Sequence, residues 1–246
     1  MIEIPRTFYI YCQNELAELV CSELAVGSYL EYINDPMLEL CVHFTDNSAT
    51  ITGSYKELVA VDTFCIGNTN AYNYKLKLFG NNLPVNLVDG VSGDISSLIT
   101  VHNFNEIIFI DSFELELNGV DLLYLGHLFF GVKTCLPRFS IEPGTSIELR
   151  SESSRSFGGQ AFGIRRKTLE NFTVNFPWLT SEDRAIFVDY IQSVLNVEPH
   201  IIDLYPEARE QFPPRYVTLS ASDISFPKLN ENGFYYSSSL SWQEAR

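Results

Sequence analysis

The chain has 246 residues, 46% hydrophobic and 19% charged, a mix that can bury a core and argues against wholesale disorder. Its formal net charge of -15, from 16 basic and 31 acidic side chains, disfavours nucleic acid and anionic membranes as partners, because both call for a basic face. Aromatic residues at 13%, including 13 Tyr and 18 Phe, point to a β-rich fold.

In chain order, residues 8–12 read as a strand. Residues 14–25 carry Leu16, Leu19, Val20 and Leu24 at helical spacing behind Asn14, which predicts a short capped helix. Strand-like runs follow at 28–33 and 38–44. Tyr72, Tyr74, Leu76 and Leu78 alternate with Asn73, Lys75 and Lys77, the pattern of a half-buried strand. Residues 106–110 are almost wholly apolar, and Phe113, Leu115 and Leu117 then alternate with Glu114 and Glu116, which read as a solvated face. Asn118-Gly119 lies between that strand and the apolar run 120–130, a strong signal for a tight hairpin. Many strands, recurrent turn residues and little helix predict a β-sandwich of jelly-roll type over residues 1–149.

The polar, Gly/Ser-rich stretch 150–160 marks a boundary. Charge changes across it: residues 1–149 carry 6 basic and 19 acidic side chains (6 − 19 = −13), and residues 150–246 carry 10 and 12 (10 − 12 = −2). In the second segment Phe172, Val174 and Phe176 alternate with polar residues, and Pro177 ends the strand. Thr180 and Asp183 form a capping-box pattern. Ile186, Phe187, Tyr190, Ile191, Val194 and Leu195 then recur at helical spacing, predicting one helix over 181–195 whose apolar stripe packs on a sheet. Strands are predicted at 200–205, 215–221 and 234–242. The fold class is therefore mostly β: an N-terminal β-sandwich, 1–149, followed by a small α+β module, 150–246, with one main helix.

Chemical motifs are sparse. The five cysteines have wide spacings without C-x-x-C, so they read as free thiols of a reducing compartment. His43, His102, His127 and His200 lack metal-site or nucleophile-elbow spacing. Gly158-Gly159 opens no phosphate loop, and Gly158-Gly159-Gln160 sits in no basic context. The reading assigns no catalytic residue, cofactor or metal. Neither a signal-peptide pattern nor an apolar run of about 20 residues is present, so synthesis in the cytoplasm without a membrane anchor is the expectation. Arg165, Arg166 and Lys167 form a basic cluster, read equally as a grip on a neighbour's carboxylates and as a solvated turn. Trp178, at the strand-to-helix junction, is expected in the core. Trp242 either closes the sheet or anchors a partner, and Tyr235 is a second interface candidate.

Residues 156–246 resemble, in pattern, the small tail-tip proteins of long-tailed bacteriophages, the family of the lambda-type minor tail protein M. A Phe157-Gly158 start leads through Arg165 and Arg166 to the alternating strand 169–176 and the capped helix 181–195. A strand ending in Tyr205-Pro206-Glu207 follows, then Arg215-Tyr216-Val217 and a last strand closing on Trp242-Gln243-Glu244. The run 122–131, LLYLGHLFFG, is similar to an apolar strand of longer phage tail proteins, in which a galactose-binding-like jelly roll precedes the small module. The resemblance implies a non-enzymatic subunit of the virion tail. It would form a ring with copies of itself and connect the tail tube to the hub or fibres, with Arg165, Arg166, Lys167, Tyr235 and Trp242 at contacts. The alternative expectation is a carbohydrate-binding module of a tail or fibre that uses the N-terminal jelly roll to recognise a host surface glycan. A glycan hydrolase would need two close carboxylates in a cleft, which nothing in the sequence singles out.

Overall fold

The computed structural model describes residues 8–11, 17–33, 40–80, 83–84, 91–95, 98–137, 144–148, 152–155, 161–164, 169–194, 198–220, 224–229 and 235–245. The chain is mostly β, with one α-helix among the described residues, and it divides into two compact units. The larger contains Tyr9–Cys135 and Ile201–Arg215; the smaller contains Leu136–His200 and Tyr216–Arg246. The division at Cys135/Leu136 precedes the polar stretch 150–160, because residues 144–148 pair with strand 169–179 of the smaller unit.

The larger unit is a β-sandwich built on two long strands, β1 (Ser48–Thr69) and β3 (Ile99–Gly119), which pair antiparallel along most of their length. Register shifts at Ser54/Val59 and Val61/Thr63 bend this ribbon. Beyond the bend, β2 (Ala71–Gly80) adds to the C-terminal half of β3, while β4 (Tyr124–Gly131) adds to the C-terminal half of β1. The two halves then face each other across an aromatic core. Phe113 of β3 lies 4.3 Å from Phe130 of β4, and Phe64 of β1 lies 5.4 Å from Tyr74 of β2, ring centroid to ring centroid. Gly53, the cross-strand partner of Phe113, makes room for that ring: a Cβ there would sit 2.2 Å from Phe113 Cε1. Outside the core, Lys77 bonds Glu116 at 3.2 Å and also pairs with Glu114, so the solvated face is a cross-strand ion-pair ladder.

Three sequence expectations change here. Residues 18–20 form a strand, not helix: Glu18, Leu19 and Val20 pair with Ser54, Gly53 and Thr52, because β1 supplies ladder partners to a segment whose isolated helix would be too short to be stable in water. Positions 14–16 of that expected helix lie outside the described residues. The run 28–33 holds a short 3-10 turn at Leu30–Tyr32. Asn118-Gly119 makes no hairpin: Asn118 stays in register with Ser48 and Gly119 with Ala71, and the chain then crosses to the other layer. Leu123 anchors the crossing, fully buried, with its N–H donating to Asp46 O and its O accepting from Phe44 N–H. The run 125–131 is buried along its whole length; β1 pairs along most of it, and Val42–His43 pairs with its start, at Leu125 and Tyr124.

The segment Ile201–Arg215 belongs to the larger unit and is held there by buried charge. Arg209 Nε donates to Asp203 Oδ2 at 2.7 Å, and its Nη1 donates to Val101 O at 2.9 Å. Lys133 Nζ donates to Asp62 Oδ2 at 3.0 Å. Both carboxylates are buried, so removing either cation strands a charge in low dielectric.

In the smaller unit, β5 (Gly144–Glu148), β6 (Leu169–Leu179), β7 (Arg215–Leu219) and β8 (Tyr236–Glu244) pair antiparallel in the order β5-β6-β8-β7. The helix α1, Ser181–Val194, follows β6. Thr180 caps it: Asp183 N–H donates to Thr180 Oγ1 at 3.1 Å, and Thr180 N–H donates to Asp183 Oδ2 at 2.8 Å. Phe187, Tyr190 and Val194 are buried, as are Phe172, Val174, Phe176, Leu240 and Trp242 of the sheet, and Phe176 meets Phe187 edge to face at 4.6 Å.

A polar chain runs through this core. Trp242 Nε1–H donates to Tyr190 Oη at 2.7 Å, and Tyr190 Oη lies 2.7 Å from His200 Nε2. His200 Nδ1 lies 3.1 Å from Glu198 O. A carbonyl only accepts, so Nδ1 carries the proton; Nε2 then accepts from the tyrosine hydroxyl, which accepts from the indole. Every member is satisfied only while His200 is neutral. Burial pushes its pKa down to about 4, below the ordinary imidazole value and hence below that of the unfolded chain. The unfolded state therefore binds more protons, and this contribution is present above about pH 6.5 and lost as pH falls toward 4. In urea titrations from pH 7 to 4, the wild type should lose stability, partly through His200. His200→Gln should start less stable at pH 7 and show a shallower slope, by up to about 1.4 kcal/mol per pH unit. Equal slopes would remove His200 from the account.

Candidate interaction surfaces

Of the two tryptophans, Trp178 departs from the core place expected of it, and Trp242 takes the first of its two expected places, closing the sheet. Along β6, Phe172, Val174 and Phe176 face α1, and strict alternation would send Trp178 the same way. Pro177 has no N–H for the ladder, and a bulge sits there: Phe176 pairs with Ser238 and Leu179 with Tyr236, so one extra residue lies on β6. The extra residue reverses the parity. Leu179 becomes buried, and Trp178 turns outward with 68% of its surface exposed. The core position goes to Trp242, which is fully buried. Trp242 thus closes the sheet and has no surface to offer a partner, which corrects its place among the interface candidates; Trp178 is likewise corrected from core to surface.

Tyr235 is exposed, and its ring meets that of Trp178 edge to face at 6.3 Å. Leu229, 43% exposed, joins the pair, its N–H donating to Tyr235 O. From this apolar end a polar row runs along the outer sheet face. Asn175 and Ser239 are cross-strand partners and exposed. Thr173 Oγ1 and Ser241 Oγ lie 3.0 Å apart. Gln243 Nε2 donates to Asn171 Oδ1 at 3.2 Å and to Glu148 Oε2 at 2.6 Å. Apart from Glu148, these side chains are uncharged. The cation Arg184 belongs to the helical side, its guanidinium 5.5 Å from the rings of Phe226 and of Tyr236. Arg165, Arg166 and Lys167 lie outside the described residues.

The larger unit carries a different surface. Val61, Ile108 and Ile110 point into its core, so alternation turns Leu58, Ile107 and Phe109 outward. They are 48%, 54% and 60% exposed, and Ala60, paired with Phe109, lies among them. Contiguous apolar side chains at this exposure mark contact surfaces more often than scattered single residues do.

Titratable groups are dispersed. Burial lowers the pKa of His127 to about 4 and depresses that of His102, and His43 lies at the surface beside Tyr124. Cys21, Cys41, Cys65 and Cys135 are free thiols; Cys65 is buried, which raises its pKa, while Cys135 is exposed. Among the described residues no group of three His, Cys, Asp or Glu side chains is placed to hold a metal. No helix of these residues is long and apolar enough to cross a membrane.

No protein-family model matches the chain, and no curated protein sequence matches it. Solved structures do. A GH29 fucosidase of Ruminococcus gnavus in complex with fucose matches 48% of this chain and 25% of its own, at TM-score 0.41 and 13% identity. The lectin domain of lectinolysin complexed with Lewis B antigen matches 48% of this chain and 94% of its own, at TM-score 0.39 and 11% identity. A chain of the complex of reduced XRCC1 with the DNA polymerase β catalytic domain matches 50% of this chain and 99% of its own, at TM-score 0.37 and 8% identity. The chain spans about a quarter of the length of the fucosidase.

The placement of the two tryptophans is open to measurement. Trp242→Ala should destabilise the protein by about 3–5 kcal/mol in urea titration, and Trp178→Ala should stay within about 0.5 kcal/mol of wild type. Acrylamide should quench the emission of Trp178 and spare that of Trp242. The reverse order of effects would place the indoles wrongly.

Proposed function

We propose that this chain is a non-catalytic structural subunit that works by assembly, of the kind found in the tail tips of long-tailed bacteriophages. Copies of it form a ring, and the ring joins other tail proteins. The tail-tip placement rests on the sequence resemblance over 122–131 and 156–246. Assembly rests on one observation, the outward apolar face of Leu58, Ala60, Ile107 and Phe109 on a sandwich whose core is already filled. A closed ring requires that this face meet a different patch on the next copy, and an interface of this kind buries on the order of 1,000 Å² or more. Sedimentation velocity across a concentration series should show discrete oligomers. Ile107→Asp with Phe109→Asp should shift them to monomer while leaving the melting temperature within a few degrees of wild type. A wild type that stays monomeric at every concentration would defeat the copy-to-copy contact.

A second reading is favoured by a separate observation: carbohydrate recognition on the outer sheet face of the smaller unit. Hydroxyl and amide groups in a row both donate and accept, as sugar hydroxyls do, and Trp178 with Tyr235 offers ring faces to the apolar side of a sugar. Titration with neutral glycans should change Trp178 emission, and Trp178→Ala should abolish binding with folding intact. Binding unchanged in that variant would move the site elsewhere.

A further inference from the structure

We infer that the outer face of the smaller unit's sheet takes an extended, uncharged glycan chain lying along β8, rather than a single terminal sugar; this rests on the carbohydrate reading above. The first argument is length. The row runs from Tyr235, just before β8, to Gln243; the seven strand intervals from Tyr236 to Gln243, at roughly 3.4 Å each, span about 24 Å, several sugar rings end to end. The aromatic pair sits at one end of it and the Gln243–Glu148 pair at the other.

The second argument is shape. Sites for single small ligands are concave and enclose most of the ligand. A sheet face with Asn175 and Ser239 exposed at its centre encloses little of one ring, so useful affinity has to be summed along a chain. The third is rigidity. The opposite face is locked by α1 and by the Trp242–Tyr190–His200 chain, so the row is held in place before binding and a long ligand meets a preorganised surface.

The fourth argument is charge. Residues 150–246 carry 10 basic and 12 acidic side chains, close to balance, and the ionisable side chain at the end of the described row, Glu148, is acidic. A glycan bearing carboxylates or sulfates would be repelled, most strongly at low salt, whereas a neutral chain is indifferent to the field.

The test uses the full chain and its Trp178 emission, titrated with chitin-derived and glucan oligomers from one to six units, and with oligogalacturonates as the acidic series. Affinity should rise with length to a plateau, the longest neutral oligomers binding more tightly than the monosaccharides by on the order of tenfold or more. Ser239→Ala with Asn175→Ala should weaken the long oligomers several-fold and leave the shortest unaffected. Oligogalacturonates should bind more weakly than neutral chains of equal length, with the gap narrowing as salt rises. A monosaccharide binding as tightly as a hexamer, still dependent on Trp178, would overturn the extended site while leaving carbohydrate recognition standing. Equal binding of the acidic series would overturn the neutral preference. No response to any oligomer would overturn the carbohydrate reading itself, and this inference with it.

Discussion

Strand parity governs what this protein shows to its surroundings. A side chain on a strand has two destinations, and one inserted residue exchanges them for everything that follows. At Pro177 the missing N–H makes the ladder easy to break, and the bulge there puts Leu179 inward and Trp178 outward. Without it a second indole, that of Trp178, would compete with Trp242 for the space beneath α1. With it, one indole closes the core and the other marks the surface.

The core that Trp242 closes is not a purely apolar one. Burying an indole N–H, a phenol and an imidazole together is tolerable because each donor meets an acceptor and the chain ends on a carbonyl. The larger unit handles buried polarity differently. Asp203 and Asp62 are paired with Arg209 and Lys133; Arg209 also reaches Val101 O and so ties its segment to the sandwich, while Lys133 and Asp62 join two distant parts of the sandwich itself. Such pairs give modest net stability against an apolar alternative but penalise any rearrangement that separates them.

Both candidate surfaces arise from the same economy. The sandwich fills its interior with Phe64, Phe113, Phe130 and Tyr74, leaving Ile107 and Phe109 on the wrong parity for burial. The smaller sheet has a helix on one side, and among the described residues its other side carries the polar row. One surface suits association with another apolar face, and the other suits a ligand rich in hydroxyl groups. The two lie on different units.

Much of the fold is legible in the amino-acid sequence because it depends on near neighbours. The capping pair Thr180 and Asp183, the helical spacing of Phe187, Tyr190 and Val194, and the alternation of β2 and β8 are short-range patterns, and each is where local physics puts it. What tertiary structure decided depends on partners distant in the chain. Residues 18–20 became a strand because β1 had an edge to offer, and Asn118-Gly119 ceased to be a hairpin because β4 was needed in the other layer. The candidate sites were half visible. Tyr235 could be named from composition and position, but the exposure of Trp178 required a bulge whose existence is set by the register between β6 and β8. Register is a property of two strands together, and neither sequence segment states it alone.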